Sequence, residues 1–208
     1  MLRENETREL LSKIEKIQEQ YETQVANVIV EALHKSQNIS ISELAELWSE
    51  TEKEIEDLLY EMLEAIYSLI LSFIQTVYPE ARNLKLKLNI KTLTWQEDGK
   101  TIEDRVKALC DFAYQALLDK VNVSLRENLI YTAMRIMETE TITVFNKTLR
   151  NRVSSAYPFA QVINTGSCED VCEHWGGRFI PVEELTWPPY HPSCRCVVIL
   201  FTADEINE

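Results

Sequence analysis

Glycine and proline are spread so unevenly along this chain that they divide it into two kinds of structure. Residues 1–157 hold one glycine, Gly99, and one proline, Pro79, whereas residues 158–208 hold Gly166, Gly176 and Gly177 with Pro158, Pro181, Pro188, Pro189 and Pro192. Glycine costs a helix interior backbone entropy, and proline removes an N–H and clashes with the preceding turn. A long stretch almost free of both suits helices, and the remainder suits turns. The expected fold is therefore mainly α. It has a long-helix body over 1–157, with one short β element, a strand or hairpin, over 84–95. A small C-terminal α+β cysteine module, with zinc as its expected ion, follows over 158–208.

Apolar spacing locates the helices. Leu10, Ile14, Ile17, Tyr21, Val25, Val28 and Ile29 recur at three- and four-residue steps, the stripe of an amphipathic helix, and the pattern breaks at 36–38. Ser40 and Glu43 then stand at capping-box spacing, with Ser42 as the other candidate cap. They open a second long helix that carries Leu44, Leu47, Ile55, Leu58, Leu59, Met62, Ile66 and Ile70 toward Pro79. Its C-terminal half is apolar on more than one face, which predicts the most buried helix or an assembly surface. Thr101 caps a third helix to about residue 120, with Ile102, Val106, Leu109, Phe112, Ala113, Ala116 and Leu117 on one side. Asn122 or Ser124 starts a fourth, through Leu129, Ala133, Ile136 and Val144 to about residue 153.

Between the second and third helices the period changes to two. Leu84, Leu86, Leu88 and Ile90 alternate with Lys85, Lys87, Asn89 and Lys91, the mark of a half-buried strand whose lysines guard a sheet edge, the favoured reading, or form a basic strip facing an acidic partner.

Charge narrows the partners. Of the 208 residues 21 are Lys or Arg and 34 are Asp or Glu, a formal net charge of −13. Affinity for duplex nucleic acid rests on cations that neutralise phosphates, so the field of this chain argues against sequence-specific nucleic acid as a partner. Arg178 and Arg195 are the only basic residues after Arg152. The acids at Glu4 and Glu6 stand where a secretory signal would carry its apolar core, so no such signal is expected. The most apolar run, residues 63–78, is interrupted by Glu64, Ser68, Ser72, Gln75 and Thr76, short of the ~18 uninterrupted apolar residues of a membrane span.

Four of the five cysteines fall in the last quarter of the chain. Cys168 and Cys172 form a C-x3-C pair, and Cys194 and Cys196 a C-x-C pair with His191 three residues upstream. Two short pairs brought together by a loop are the layout of a four-ligand zinc site, in which the metal replaces the core that a small module lacks. The candidate metal ligands are Cys168, Cys172, Cys194 and Cys196, with His191 or His174 as a substitute for one thiolate. Two disulfides, or reduced thiols packed in a small core, are the competing readings. A zinc deaminase is excluded, because it needs H-x-E followed by P-C-x-x-C and here Glu173 precedes His174. Cys110, among Leu109, Phe112 and Ala113, reads as a small buried hydrophobe. Trp175, Trp187 and Tyr190 read as the core of the module.

Taken together, Thr139-Glu140, Asn146, Cys168 to Cys172, Gly177-Arg178-Phe179 and the closing Pro188-Pro189-Tyr190-His191-Pro192-Ser193-Cys194-Arg195-Cys196 resemble the phage head morphogenesis family, the Mu F-like minor capsid proteins. The closing nine residues are the specific part, and the resemblance covers about the last third of the chain. Two positions depart from the family pattern: Glu138 stands where an arginine usually precedes Thr-Glu, and the first cysteine pair is spaced by three rather than two. The resemblance implies a non-enzymatic virion component that acts in head assembly or genome delivery near the portal vertex. Its implied partners are the portal or major capsid protein, and another copy of itself in a homo-oligomer. It implies the virion head as location, and the host cytoplasm during assembly. Some relatives carry a toxin domain after the cysteine module, for which the twelve residues beyond Cys196 leave no room. A small zinc-dependent enzyme or toxin effector using Cys172 or His191, and a cytosolic zinc-binding adaptor, are the alternatives.

Overall fold

In the computed structural model, which describes residues 2–79, 88–93, 99–121, 124–164 and 170–206, four long helices precede a small sheet. They are α1 (Leu2–Lys35), α2 (Ile41–Val77), α3 (Ile102–Leu118) and α4 (Leu125–Arg152). Strand β1 (Phe159–Ile163), the short helix α5 (Asp170–Trp175) and strands β2 (Phe179–Pro181) and β3 (Val197–Phe201) follow. The mainly α reading, with a small β component and a C-terminal cysteine cluster, is what forms.

The helix boundaries follow from local chemistry. Ser40 and Glu43 make both bonds of a capping box: the Ser40 side chain accepts from the Glu43 N–H, and the Ser40 N–H donates to Glu43 Oε2 at 2.8 Å. Thr101 and Asp104 do the same for α3. Helix α4 starts differently, for Ser124 sits in the left-handed region (φ 55°) and makes no capping bond, while Asn122 lies outside the described residues. In α2 the apolar C-terminal half is buried within the chain, with Leu59, Met62, Leu63, Ile66 and Ile70 all essentially inaccessible. Each such side chain contributes roughly 1.5–3 kcal/mol of transfer free energy.

The strand or hairpin expected over 84–95 is not what its described part forms. Residues 80–87 and 94–98 lie outside the described residues, with Lys85 and Lys87 among them, and Ile90–Thr92 is a 3-10 turn. The physical reason is local. The Asn89 side chain accepts from the Lys91 N–H at 3.2 Å, and burial of Ile90 and Leu93, three residues apart, follows the turn's period rather than a strand's. The Lys91 ammonium lies 5.1 Å from the Tyr60 ring centre.

Helix α4 organises the rest. It packs against α1, α2, α3 and β3, and from Thr139 to Asn146 it is buried on every face. Its threonines tolerate burial because their hydroxyls bond backbone carbonyls one turn earlier, Thr143 to Thr139 at 2.8 Å and Thr148 to Val144 at 2.6 Å. The antiparallel sheet has the order β2-β1-β3, with Phe159 opposite Phe201 and Ile163 opposite Val197. Residues 197–200 of β3 are all buried, so both faces of that strand are covered, which its unbroken apolar run allows.

Candidate metal centre

Three of the cysteines meet where α5 and the loop leading into β3 come together. Cys172 lies in the middle of α5, a helix of six residues that ends at two glycines. The Gly176 N–H donates to the Cys172 carbonyl at 3.1 Å. Gly177, at φ +74°, takes the left-handed position that closes the helix and donates its N–H to the Val162 carbonyl on β1 at 3.1 Å. Cys194 and Cys196 follow a tight turn in which the Cys194 N–H donates to the His191 carbonyl at 3.1 Å and Ser193 adopts φ 62°.

Helix α4 holds that loop by its backbone. Thr139 Oγ1 accepts from the Ser193 N–H at 2.9 Å and donates to the Arg135 carbonyl at 2.7 Å. Asn146 bridges both sides of Cys196 and its neighbour: its Nδ2 donates to the Cys196 carbonyl at 3.0 Å, and its Oδ1 accepts from the Val198 N–H at 3.0 Å. Both bonds are buried. Glu138 pairs with Arg195, the residue between the two cysteines.

The sulfurs of Cys172, Cys194 and Cys196 all lie within 4.8 Å of one another and are fully buried. Cys172 Sγ and Cys194 Sγ are 3.8 Å apart, far beyond the ~2.05 Å of a disulfide, so these two are separate thiols. A hydrogen bond from the Cys196 thiol is the largest influence on Cys194 and, with backbone bonds from Tyr190 and Cys196 and a bond from Cys172, outweighs burial and holds its thiol below the usual range. Tyr190 moves the other way: burial first, then the neighbouring sulfurs of Cys196, Cys194 and Cys172, raise its phenol well above the usual range. Its hydroxyl donates to the Thr186 carbonyl at 2.9 Å and its ring stacks on Trp175.

His191 approaches from the Cys172 side, with Nε2 3.1 Å from that sulfur. Its Nδ1 is 2.8 Å from the Pro192 carbonyl, which can only accept, so Nδ1 carries the proton and Nε2 turns its lone pair toward Cys172. A carbonyl bond that fixes the tautomer is the usual support of a metal-binding imidazole. Three clustered thiols are soft donors, and they can hold a metal ion.

Of the residues expected from the sequence, Cys172, Cys194 and Cys196 are brought together and His191 lies at their edge. Cys168 lies outside the described residues. His174 is exposed, with its ring perpendicular to that of Trp175. Trp187 and Tyr190 are buried and Trp175 partly so, as core residues of the module should be. Sequence reasoning missed the pairing of Glu138 with Arg195, and that of Glu140, fully buried, with Arg105 on α3 at 3.0 Å. Opposite charge was the one available signal, and residues so far apart along the chain carry no spacing to pair them.

Cys110 is buried on α3, and desolvation pushes its thiol up to about 12. No helix among the described residues is long and apolar enough to cross a membrane. Comparisons with protein-family models, with curated proteins and with solved structures returned no match to this chain.

Proposed function

We propose that this chain is a minor head protein of a bacteriophage, non-enzymatic, which acts in head assembly or genome delivery near the portal vertex, with its thiol cluster holding a structural zinc ion. The observation that carries the reading is a convergence. The segments that bear the family resemblance, 138–146 on α4 and 188–196 before β3, are joined by Thr139, Asn146 and the pairing of Glu138 with Arg195. A motif scattered by chance over a chain has no reason to close into one bonded unit.

Zinc fits the donor set. A tetrahedral ion with Zn–S bonds of ~2.3 Å has S···S edges of about 3.8 Å, and Cys172 and Cys194 stand 3.8 Å apart. Full burial of all three sulfurs suits a closed structural site, since a catalytic zinc keeps one position open to solvent and substrate. That favours a scaffold over the zinc-dependent enzyme or toxin. His191 or Cys168 completes the tetrahedron.

Protein rather than duplex DNA is the expected partner. Of the basic residues clustered at the end of α4, Arg152 is buried and donates to the Tyr67 hydroxyl, Arg150 lies over Trp187, and Lys147 is half-buried, with desolvation lowering its ammonium. Cations engaged in this way are poor phosphate ligands, and the net charge of −13 repels a polyanion. The portal or the major capsid protein is the fitting acceptor, in the virion head.

Co-expression with the portal protein of the same genome, followed by size-exclusion chromatography and elemental analysis, tests both halves. The expected result is a complex that survives the column and carries about one zinc per chain. Failure to associate with either the portal or the shell protein, joined by micromolar salt-sensitive binding to random duplex, would overturn the assembly role. A fully folded, metal-free chain under reducing conditions would overturn the zinc.

A further inference from the structure

The start of α1 poses a problem of attachment. Residues 3–9 read Arg-Glu-Asn-Glu-Thr-Arg-Glu and contain no apolar side chain, and the next apolar position along the helix is the buried Leu10. Of these seven residues only Thr7 is buried, and its hydroxyl is spent on the Arg3 carbonyl of its own helix at 2.7 Å. From Arg3 to Glu9 the helix therefore offers no apolar side chain to hold it down.

Arg3 does. Its guanidinium carbon lies 5.0 Å from the Tyr78 ring centre, 4.9 Å from Tyr157 and 5.9 Å from Phe201. Its nitrogens donate to the Leu200 carbonyl at 2.6 Å and to both carboxylate oxygens of Glu205 at 2.8 Å. The walls are built without Arg3. Tyr78 and Tyr157 are inaccessible and meet edge to face at 5.1 Å, and the Tyr78 hydroxyl accepts from the Leu200 N–H at 3.2 Å. Glu205 is fixed by the Thr202 N–H and hydroxyl at 2.8 and 2.9 Å. The end of α2, the turn into β1, the end of β3 and the C-terminal turn thus supply the receptor, and α1 supplies only the cation.

We propose that Tyr78, Tyr157, Phe201, the Leu200 carbonyl and Glu205 form a guanidinium-binding cage, that Arg3 fills it from within the chain, and that this filling makes the start of α1 a releasable strap over the sheet. The ligand class follows from shape. A planar fork can face aromatic rings while its edge donates to a carbonyl and two carboxylate oxygens, whereas an ammonium is a compact, strongly hydrated point charge with no flat face to stack. The inference uses residues outside the thiol cluster and stands apart from the assembly role.

Full-length Arg3→Ala, followed by hydrogen exchange and mass spectrometry, separates the two functions of the cage. Amide exchange over residues 6–12 should rise at least about tenfold and exchange over 198–206 should rise with it, while the apolar half of α2 keeps its protection, since the strap and the emptied cage are loosened and the helical core is not. Millimolar methylguanidinium should then restore protection over residues 198–206 but not over 6–12, because the added cation fills the cage without reattaching α1. Methylammonium at equal ionic strength should do neither, and wild type should respond to neither. Arg3→Lys keeps the charge without the fork and should release the strap in the same direction by a smaller factor; it replaces the alanine variant should that one not fold. Unchanged exchange over 6–12 in the variants would overturn the strap. Methylguanidinium no better than methylammonium would overturn the cage.

Discussion

Asn146→Ala isolates the joint between α4 and the cysteine loop. The side chain is 1% exposed and makes two bonds, to the Cys196 carbonyl and from the Val198 N–H, each 3.0 Å long. Alanine removes both and leaves a carbonyl and an N–H orphaned in a region without solvent. Each orphan costs about 1–3 kcal/mol, so the expected loss is about 2–6 kcal/mol. For a chain of this size each kcal/mol lowers Tm by roughly 2–4 °C, so the midpoint should fall by about 5–20 °C. Urea unfolding under reducing conditions, with and without chelator, measures the loss directly, and the slope should not change because the same surface is exposed. Asn146→Asp sharpens the test. One oxygen still accepts from Val198, but the other opposes the Cys196 carbonyl and places a charge in the core, so this near-isostere should cost at least as much as alanine. A loss below about 0.5 kcal/mol for alanine, typical of an idle surface position, would refute the reasoning.

Arg105→Ala removes its guanidinium from the fully buried Glu140 and should cost about 1.5–3 kcal/mol in the same assay, since Lys147 stays as a nearby cation. Glu22, held above the usual carboxylate range by desolvation and then by Glu138, binds its proton more tightly folded than unfolded, so its ionised form opposes folding. Glu22→Gln should therefore raise Tm at pH 7, with the gain fading as the pH falls through the carboxylate range, in a scan of Tm against pH. Cys110, buried and raised to about 12, should resist iodoacetamide at pH 8 in the native chain and label only on unfolding, as read by peptide mass spectrometry.

Long-range order in this chain was legible where one local rule acted alone. Ser40 with Glu43 and Thr101 with Asp104 announce helix starts because a capping box is complete within four residues. The apolar half of α2 announces burial because nothing polar interrupts its inner face. Helix α4 hid its central position: Thr139, Thr141, Thr143, Asn146 and Glu140 look like surface residues, and only their partners, one turn back or on other elements, make them core. The alternation of 84–91 misled in its described part, because period two predicts a strand only where a neighbour strand accepts its backbone, and Asn89 offers the chain a local alternative. The cysteine pairs named three sulfurs that meet, yet could not show that an α4 asparagine holds their loop.

The joint itself uses one face of α4. Thr139 and Asn146 are seven residues apart on α4, two turns, so they lie on one face about 10.5 Å apart along the axis. Ser193 and Cys196, the residues they hold, are three residues apart in the loop that follows the turn at His191. Two separate polar side chains on one face of the helix thus grip one stretch of loop backbone. The contact between Glu138 and Arg195 is of another kind. With half of the Arg195 side chain in solvent, the pair is worth at most about 1 kcal/mol. The energetic hold lies with Thr139 and Asn146, and the charge pair serves mainly to direct Arg195 toward α4.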